Sequence, residues 1–104
     1  MLIVRGVNLY PSQIETALLR VRGTAPHYQL ELTREHGLDV LAVRVEIDPA
    51  ALGDQVADLE DLRDAVGQSI ESVTGLRAIV HLAEPNTIER SQGKAKRVVD
   101  LRPK

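Results

Sequence analysis

A chain of 104 residues, 43% hydrophobic and 27% charged, suits one small soluble globular domain and leaves little for a second core. It holds two tyrosines, no Phe, no Trp and no Cys, which excludes disulfides, thiolate metal sites, a cysteine nucleophile and an aromatic platform for stacking bases. The net charge of −2 is unevenly spread: residues 1–86 carry seven Arg against thirteen acidic residues, and residues 87–104 carry six basic against two acidic, including all three lysines.

Met1-Leu2-Ile3-Val4 opens apolar and is interrupted by Arg5-Gly6, too soon for a signal peptide or a membrane span, so a cytoplasmic location with no membrane partner is the expectation. Leu2–Val4 and Val7–Tyr10 read as short extended pieces, stopped by Pro11. Ser12-Gln13-Ile14-Glu15 matches a capping box. Ile14, Ala17, Leu18 and Val21 follow at helical spacing, predicting a helix over about residues 13–22 with Arg20 and Arg22 in its last turn and Gly23 at its end. His27 to Thr33 alternates with Tyr28, Leu30 and Leu32 on one side. Glu35-His36-Gly37 supplies a turn, and about Val40 to Ile47 alternates again with Leu41, Val43, Val45 and Ile47 inward. That pattern reads as a hairpin.

Asp48-Pro49 and Gly53-Asp54 lead to a second amphipathic helix with the stripe Val56, Leu59, Leu62, Val66, Ile70 and Val73, closed by Gly75. Leu76 to Ala83 is a further strand, residues 85–97 a loop, and Val98 to Leu101 a last extended piece. The order is β-α-β-β-α-β with additions at both ends. The expected fold class is α+β, a ferredoxin-like sandwich with a mostly antiparallel sheet and two helices on one face. Fold of this kind hosts unrelated functions and decides little by itself.

Two stretches stand out for chemistry. Gly93-Lys94 fails as a phosphate loop, because Ile88 stands where a glycine is required and Ala95 where a Ser or Thr is required. Lys94 remains either an exposed loop lysine or a mobile point charge that neutralises charge developing at a phosphoryl or acyl oxygen, with Gly93 freeing the loop to present it. Arg5-Gly6-Val7 is either a bulge or tight bend, or a backbone surface allowing close approach of a ligand. His27, His36 and His81 have no metal-site spacing, no metal ligands are nominated, and Glu15 is assigned to its cap. A nucleic-acid role finds few basic residues and no aromatic partners.

The string from Met1-Leu2-Ile3-Val4-Arg5-Gly6-Val7-Asn8 to Pro11-Ser12-Gln13-Ile14-Glu15, with Pro26-His27-Tyr28-Gln29-Leu30, Leu32-Thr33-Arg34, Arg90-Ser91-Gln92-Gly93-Lys94-Ala95-Lys96-Arg97-Val98 and Asp100-Leu101-Arg102, resembles the C-terminal domain of phenylacetate–CoA ligases, members of the AMP-forming adenylating enzymes. The likeness covers both ends and the first third, while about 48–75 matches in pattern only. It implies a mobile C-terminal domain over residues 1–104 that rotates against a large N-terminal adenylating domain, its partner. The full enzyme would convert an aryl carboxylic acid, ATP and CoA to aryl-acyl-CoA, AMP and diphosphate.

By the same resemblance, Lys94 would contact the α-phosphate and carboxylate oxygens during adenylation, and Arg5, Gly6 and Val7 would approach the pantetheine path of CoA during thioester formation. ATP and CoA are then substrates, magnesium belongs to the large domain, and no cofactor resides in this one. The acidic hinge residue of the family would lie just before Met1, and the large domain with the adenylate and acyl sites is likewise not in this sequence, so the chain alone is expected to be inactive. The alternative is an ACT-like regulatory module, which shares the β-α-β-β-α-β order and binds a small metabolite but gives no reason for the Gly93-Lys94 loop.

Overall fold

The computed structural model describes residues 2–48, 56–84 and 98–102, without the side chains of Pro26 and residues 56–58. In chain order the elements are β1 (Leu2–Val4), β2 (Val7–Leu9), α1 (Pro11–Leu19), β3 (Thr24–Glu35), β4 (Leu38–Ile47), α2 (Val56–Thr74), β5 (Ile79–Ala83) and β6 (Val98–Asp100).

The long β3/β4 hairpin is the frame. Its strands are antiparallel and in continuous register from Tyr28↔Val45 to Glu35↔Leu38, with an irregularity between Thr24 and Tyr28. The turn is His36-Gly37, with φ of 53° and 78°. Two central residues at positive φ match the right-handed twist of the flanking strands, which is why a glycine-containing pair closes it. Strand alternation puts Tyr28, Leu30, Leu32, Leu41, Val43, Val45 and Ile47 on one face, and every one of them is buried. At the turn both strands run beyond the predicted limits because only two residues close it, and β3 also starts earlier, at Thr24.

The outer strands run parallel to their neighbours, in the order β5-β4-β3-β6. β5 pairs with β4 from Ala42↔Ile79 to Glu46↔Ala83, reached through α2 as a crossover helix. β6 pairs with β3 from Leu30↔Val98 to Leu32↔Asp100. β1 does not join this sheet. It pairs with β2 as a separate antiparallel ribbon, from Leu2↔Leu9 to Val4↔Val7. The class is α+β, with mostly antiparallel pairing and two helices over one sheet face, consistent with a ferredoxin-like domain. The first strand stands beside the main sheet instead of inside it.

One core holds these parts together. Val4, Leu9, Ile14, Ala17, Leu18, Val66, Ile70 and Leu76 pack with the inward sheet residues. The β1/β2 ribbon is therefore anchored by Val4 and Leu9, α1 by Ile14, Ala17 and Leu18, and α2 by Val66 and Ile70 with Leu62 and Val73 packed against them. Ala17, with no side chain beyond Cβ, lets α2 come close enough for Ser69 Oγ to donate to its carbonyl at 2.7 Å.

The start of α1 corrects the expected cap. The helix begins at Pro11, whose missing N–H and fixed φ suit the first helical position. Tyr10 is the capping residue, and its amide donates to Gln13 Oε1 at 2.9 Å. The reciprocal half of a capping box thus sits two positions earlier than Ser12 and Glu15. Ser12 is inside the helix, where its carbonyl accepts from Thr16 Oγ1 at 3.0 Å. Glu15 is used elsewhere: Tyr28 OH donates to its Oε1 at 3.0 Å, tying α1 to β3. The helix also ends sooner, at Leu19 with Arg20 as its cap, which places Arg20 and Arg22 beyond the last turn.

α2 ends as predicted. Gly75 takes φ 78° and its amide donates to the Glu71 carbonyl at 2.8 Å. Thr74 Oγ1 donates to the Ile70 carbonyl and accepts from the Leu76 amide at 3.1 Å, so the buried hydroxyl is satisfied on both sides. The Gly53-Asp54 connection lies outside the described residues.

Candidate functional site: the Arg5–Gly6 turn and its clasp

The candidate site is built on a tight turn. Val4 and Val7 close the β1/β2 ribbon, and the two residues between them take φ of 50° for Arg5 and 76° for Gly6. A two-residue turn with both central residues at positive φ is the favoured hairpin connection, normally filled by Asn-Gly or Asp-Gly. Gly6 meets the requirement freely. A Cβ built there would find no atom within 4 Å, so conformation and not crowding demands the glycine. The same open space leaves the turn's backbone accessible.

Arg5 is the unusual member, since a left-handed conformation costs a non-glycine residue about 1–2 kcal/mol. The compensation is visible. Its amide donates to Asp39 Oδ2 at 2.8 Å and its Nε to the Asp39 carbonyl at 2.8 Å. An amide bonded to a carboxylate is a charge-assisted contact, stronger than a neutral one. The Arg5 side chain thus folds back along β4 and fastens the turn to the end of the β3/β4 hairpin.

Asp39 gathers two more guanidinium groups. Its cross-strand partner Arg34 approaches Oδ1 through Nε at 3.2 Å, and Arg102 Nη1 stands 3.4 Å from Oδ2. Arg102 grips Asp100 with both edges of its fork, Nε to Oδ1 at 3.0 Å and Nη2 to Oδ2 at 2.9 Å, while Nη1 donates to the Ile3 carbonyl at 2.6 Å. Three arginines and two aspartates therefore join β1, the turn, β3, β4 and the segment after β6.

The charges act as the geometry requires. The Arg5 backbone hydrogen bond, helped by Arg34 and Arg102, holds the Asp39 carboxyl below its ordinary value. Asp100 is lowered to about 2, first by the side-chain hydrogen bonds from Arg102. Arg102 is raised, chiefly by Asp100.

Of the residues singled out in the sequence, Arg5, Gly6 and Val7 come together as this turn, with Val7 at its exposed margin. Gly93 and Lys94 lie outside the described residues, on the segment preceding β6. Asp39 and Arg34 were not singled out. Their pairing was available in principle from hairpin register about His36-Gly37, whereas the contacts to Arg5 and Arg102 leave no periodic trace. Elsewhere, an open groove of about 760 Å³ runs between α2 and β5, with Arg63 and Arg77 set against Asp64 and Glu71. None of its lining residues belongs to the turn or the clasp. Among the described residues no group of three His, Asp or Glu side chains is placed to hold a metal ion. No helix among them is long and apolar enough to cross a membrane.

Comparison with known proteins places this geometry in a family. Residues 6–102 match the AMP-binding enzyme C-terminal domain. The chain belongs to that family. It is 45% identical over 106 residues to phenylacetate–coenzyme A ligase of Aromatoleum evansii, an alignment covering all of this chain and 24% of that protein. A crystal structure of a domain of phenylacetate–coenzyme A ligase from Bacteroides vulgatus ATCC 8482 superposes with a TM-score of 0.88 at 29% identity, covering 99% of this chain and 93% of that one. The 2-hydroxyisobutyryl-CoA ligase, in complex with its acyl-adenylate and CoA in the thioesterification state, superposes with a TM-score of 0.86 at 38% identity, over 95% of this chain and 20% of that one. Its postadenylation state superposes at 0.83. The chain thus spans about a quarter of the length of the curated relatives it matches.

Proposed function

We propose that this chain acts as the mobile C-terminal domain of an AMP-forming acyl-CoA ligase of the phenylacetate type, working against a large N-terminal adenylating domain. The observation that carries the reading is the family match over residues 6–102 together with likeness to a CoA ligase captured both after adenylation and during thioesterification. In the first half-reaction an aryl carboxylate attacks the α-phosphorus of ATP and diphosphate leaves. In the second, the thiol of CoA attacks the acyl carbon and AMP leaves. The regulatory-module alternative leaves the family match unexplained.

Each half-reaction uses a different part of the domain. Lys94 supplies a positive charge to the α-phosphate and carboxylate oxygens as negative charge builds there, a compact ammonium on a long stem. Gly93 lets the loop deliver it. The Arg5-Gly6-Val7 turn offers an open backbone ridge to the pantetheine arm of CoA, with no other part of the domain within 4 Å of where a Gly6 Cβ would stand. ATP, magnesium and the acyl group are bound by the large domain.

The test is a Lys94→Ala substitution in the complete ligase. Acid-dependent exchange of diphosphate into ATP should fall by about 10²–10³-fold, the scale for removing one electrostatic stabiliser. Thioester formation from a supplied acyl-adenylate should be far less affected. Equal losses in both half-reactions would remove the assigned role.

A further inference from the structure

The β1/β2 ribbon is held to the body by Val4 and Leu9, both buried in the core. Core burial fixes where the ribbon sits but not how its tip is aimed, because Arg5 and Gly6 are exposed. Two contacts reach the ribbon from outside it, Asp39 at Arg5 and Arg102 at Ile3. Asp39 receives the Arg5 amide on Oδ2 and the Arg5 Nε on its carbonyl, each at 2.8 Å. The same Oδ2 faces Arg102 Nη1 at 3.4 Å, and that nitrogen also donates to the Ile3 carbonyl. Arg102 in turn is locked by both oxygens of Asp100, the last residue of β6. Asp39 and Arg102 keep only 13% and 16% of their side-chain surface exposed, so their contact is largely shielded from water and holds one geometry.

We propose that Asp39 is a positioning residue for thioester formation: it fixes the direction of the Arg5–Gly6 turn and, through Arg102, holds that turn in constant relation to the end of β6. The proposal rests on the reading of the turn as the surface that meets CoA. β6 pairs with β3 and ends at Asp100, so one carboxylate ties the turn to the edge strand of the main sheet. Asp39 acts through Arg5 and Arg102 and touches no reacting atom.

The experiment has two arms, both using Asp39→Ala, with Asp39→Asn as the conservative variant. In the 104-residue chain, hydrogen exchange followed by NMR should show the Arg5 amide losing at least about tenfold of its protection, since its acceptor is gone. The amides of Leu30 and Val43 should keep theirs. An unchanged Arg5 amide overturns the proposal whatever the domain's function. Loss of protection at Leu30 and Val43 as well would mark Asp39 as a folding residue and overturn it too.

In the complete ligase, the rate of thioester formation at fixed CoA should fall about tenfold or more, the scale of a small misplacement near the reacting groups. Diphosphate exchange should stay unchanged, and Asp39→Asn, which keeps an acceptor for the Arg5 amide, should restore part of the loss. If the Arg5 amide loosens while thioester formation is untouched, the turn does not serve CoA, and the reading beneath the proposal is what fails. If both half-reactions fall together, the positioning role is overturned and that reading stands.

Discussion

Arg5 shows how a residue unsuited to its conformation is kept there. Left-handed backbone suits glycine or asparagine, yet the turn carries a long cationic side chain that reaches back to Asp39. Asparagine would keep the amide's bond to Asp39 Oδ2, and what arginine adds is the second bond, from its Nε to the Asp39 carbonyl. The acidic members of the clasp carry a pH signature. Asp39 and Asp100 both ionise more readily folded than unfolded, so their contribution is fully present above the ordinary value of 3.8 and is lost as pH falls through the folded values. For Asp100 that window runs from 3.8 down to about 2. An NMR titration of its side-chain carboxyl carbon should give a midpoint near 2, and Arg102→Gln should move it back toward 3.8. A midpoint already at the ordinary value in the unsubstituted chain would sink the account of the clasp.

Among the elements, the β3/β4 hairpin bears the core, and its residues differ in what they hold. Leu30 is fully buried on the helix-facing side. Leu30→Ala should cost about 2–5 kcal/mol through lost transfer energy and a residual cavity. Leu19, 85% exposed at the end of α1, should cost under about 0.5 kcal/mol on the same change. Urea unfolding of the two variants decides the matter, and similar midpoints would contradict the assigned core.

Legibility follows the same division. The hairpin and α2 were readable because long elements repeat their period many times. Outer strands of three to five residues repeat too little to reveal partner or direction, so the separate β1/β2 ribbon and the parallel pairing of β5 and β6 came only from the structure. The cap of α1 was misplaced because Ser12 and Glu15 imitate a capping box, while Pro11 starts the helix earlier and Glu15 is drawn to Tyr28. At the site, the glycine of the turn was legible from its interruption of two apolar runs. Asp39 was not, because its partners Arg5 and Arg102 lie far off in the chain and charged contacts follow no period.

At the scale of the whole molecule, the described residues present open grooves and an exposed turn. The turn is a ridge and the clasp is spent on itself. With ATP, magnesium and the acyl group proposed to be bound by a large N-terminal domain, the 104-residue chain incubated with ATP, CoA and phenylacetate should yield no acyl-CoA by liquid chromatography. Measurable product would overturn the division of labour proposed above.

Arg102 reaching the Ile3 carbonyl joins positions 99 residues apart. Such a contact brings the first and last described strands to one corner of the domain. The clasp holds the first and last described strands in one arrangement, which is what the proposed rotation against a large N-terminal domain would require of this corner.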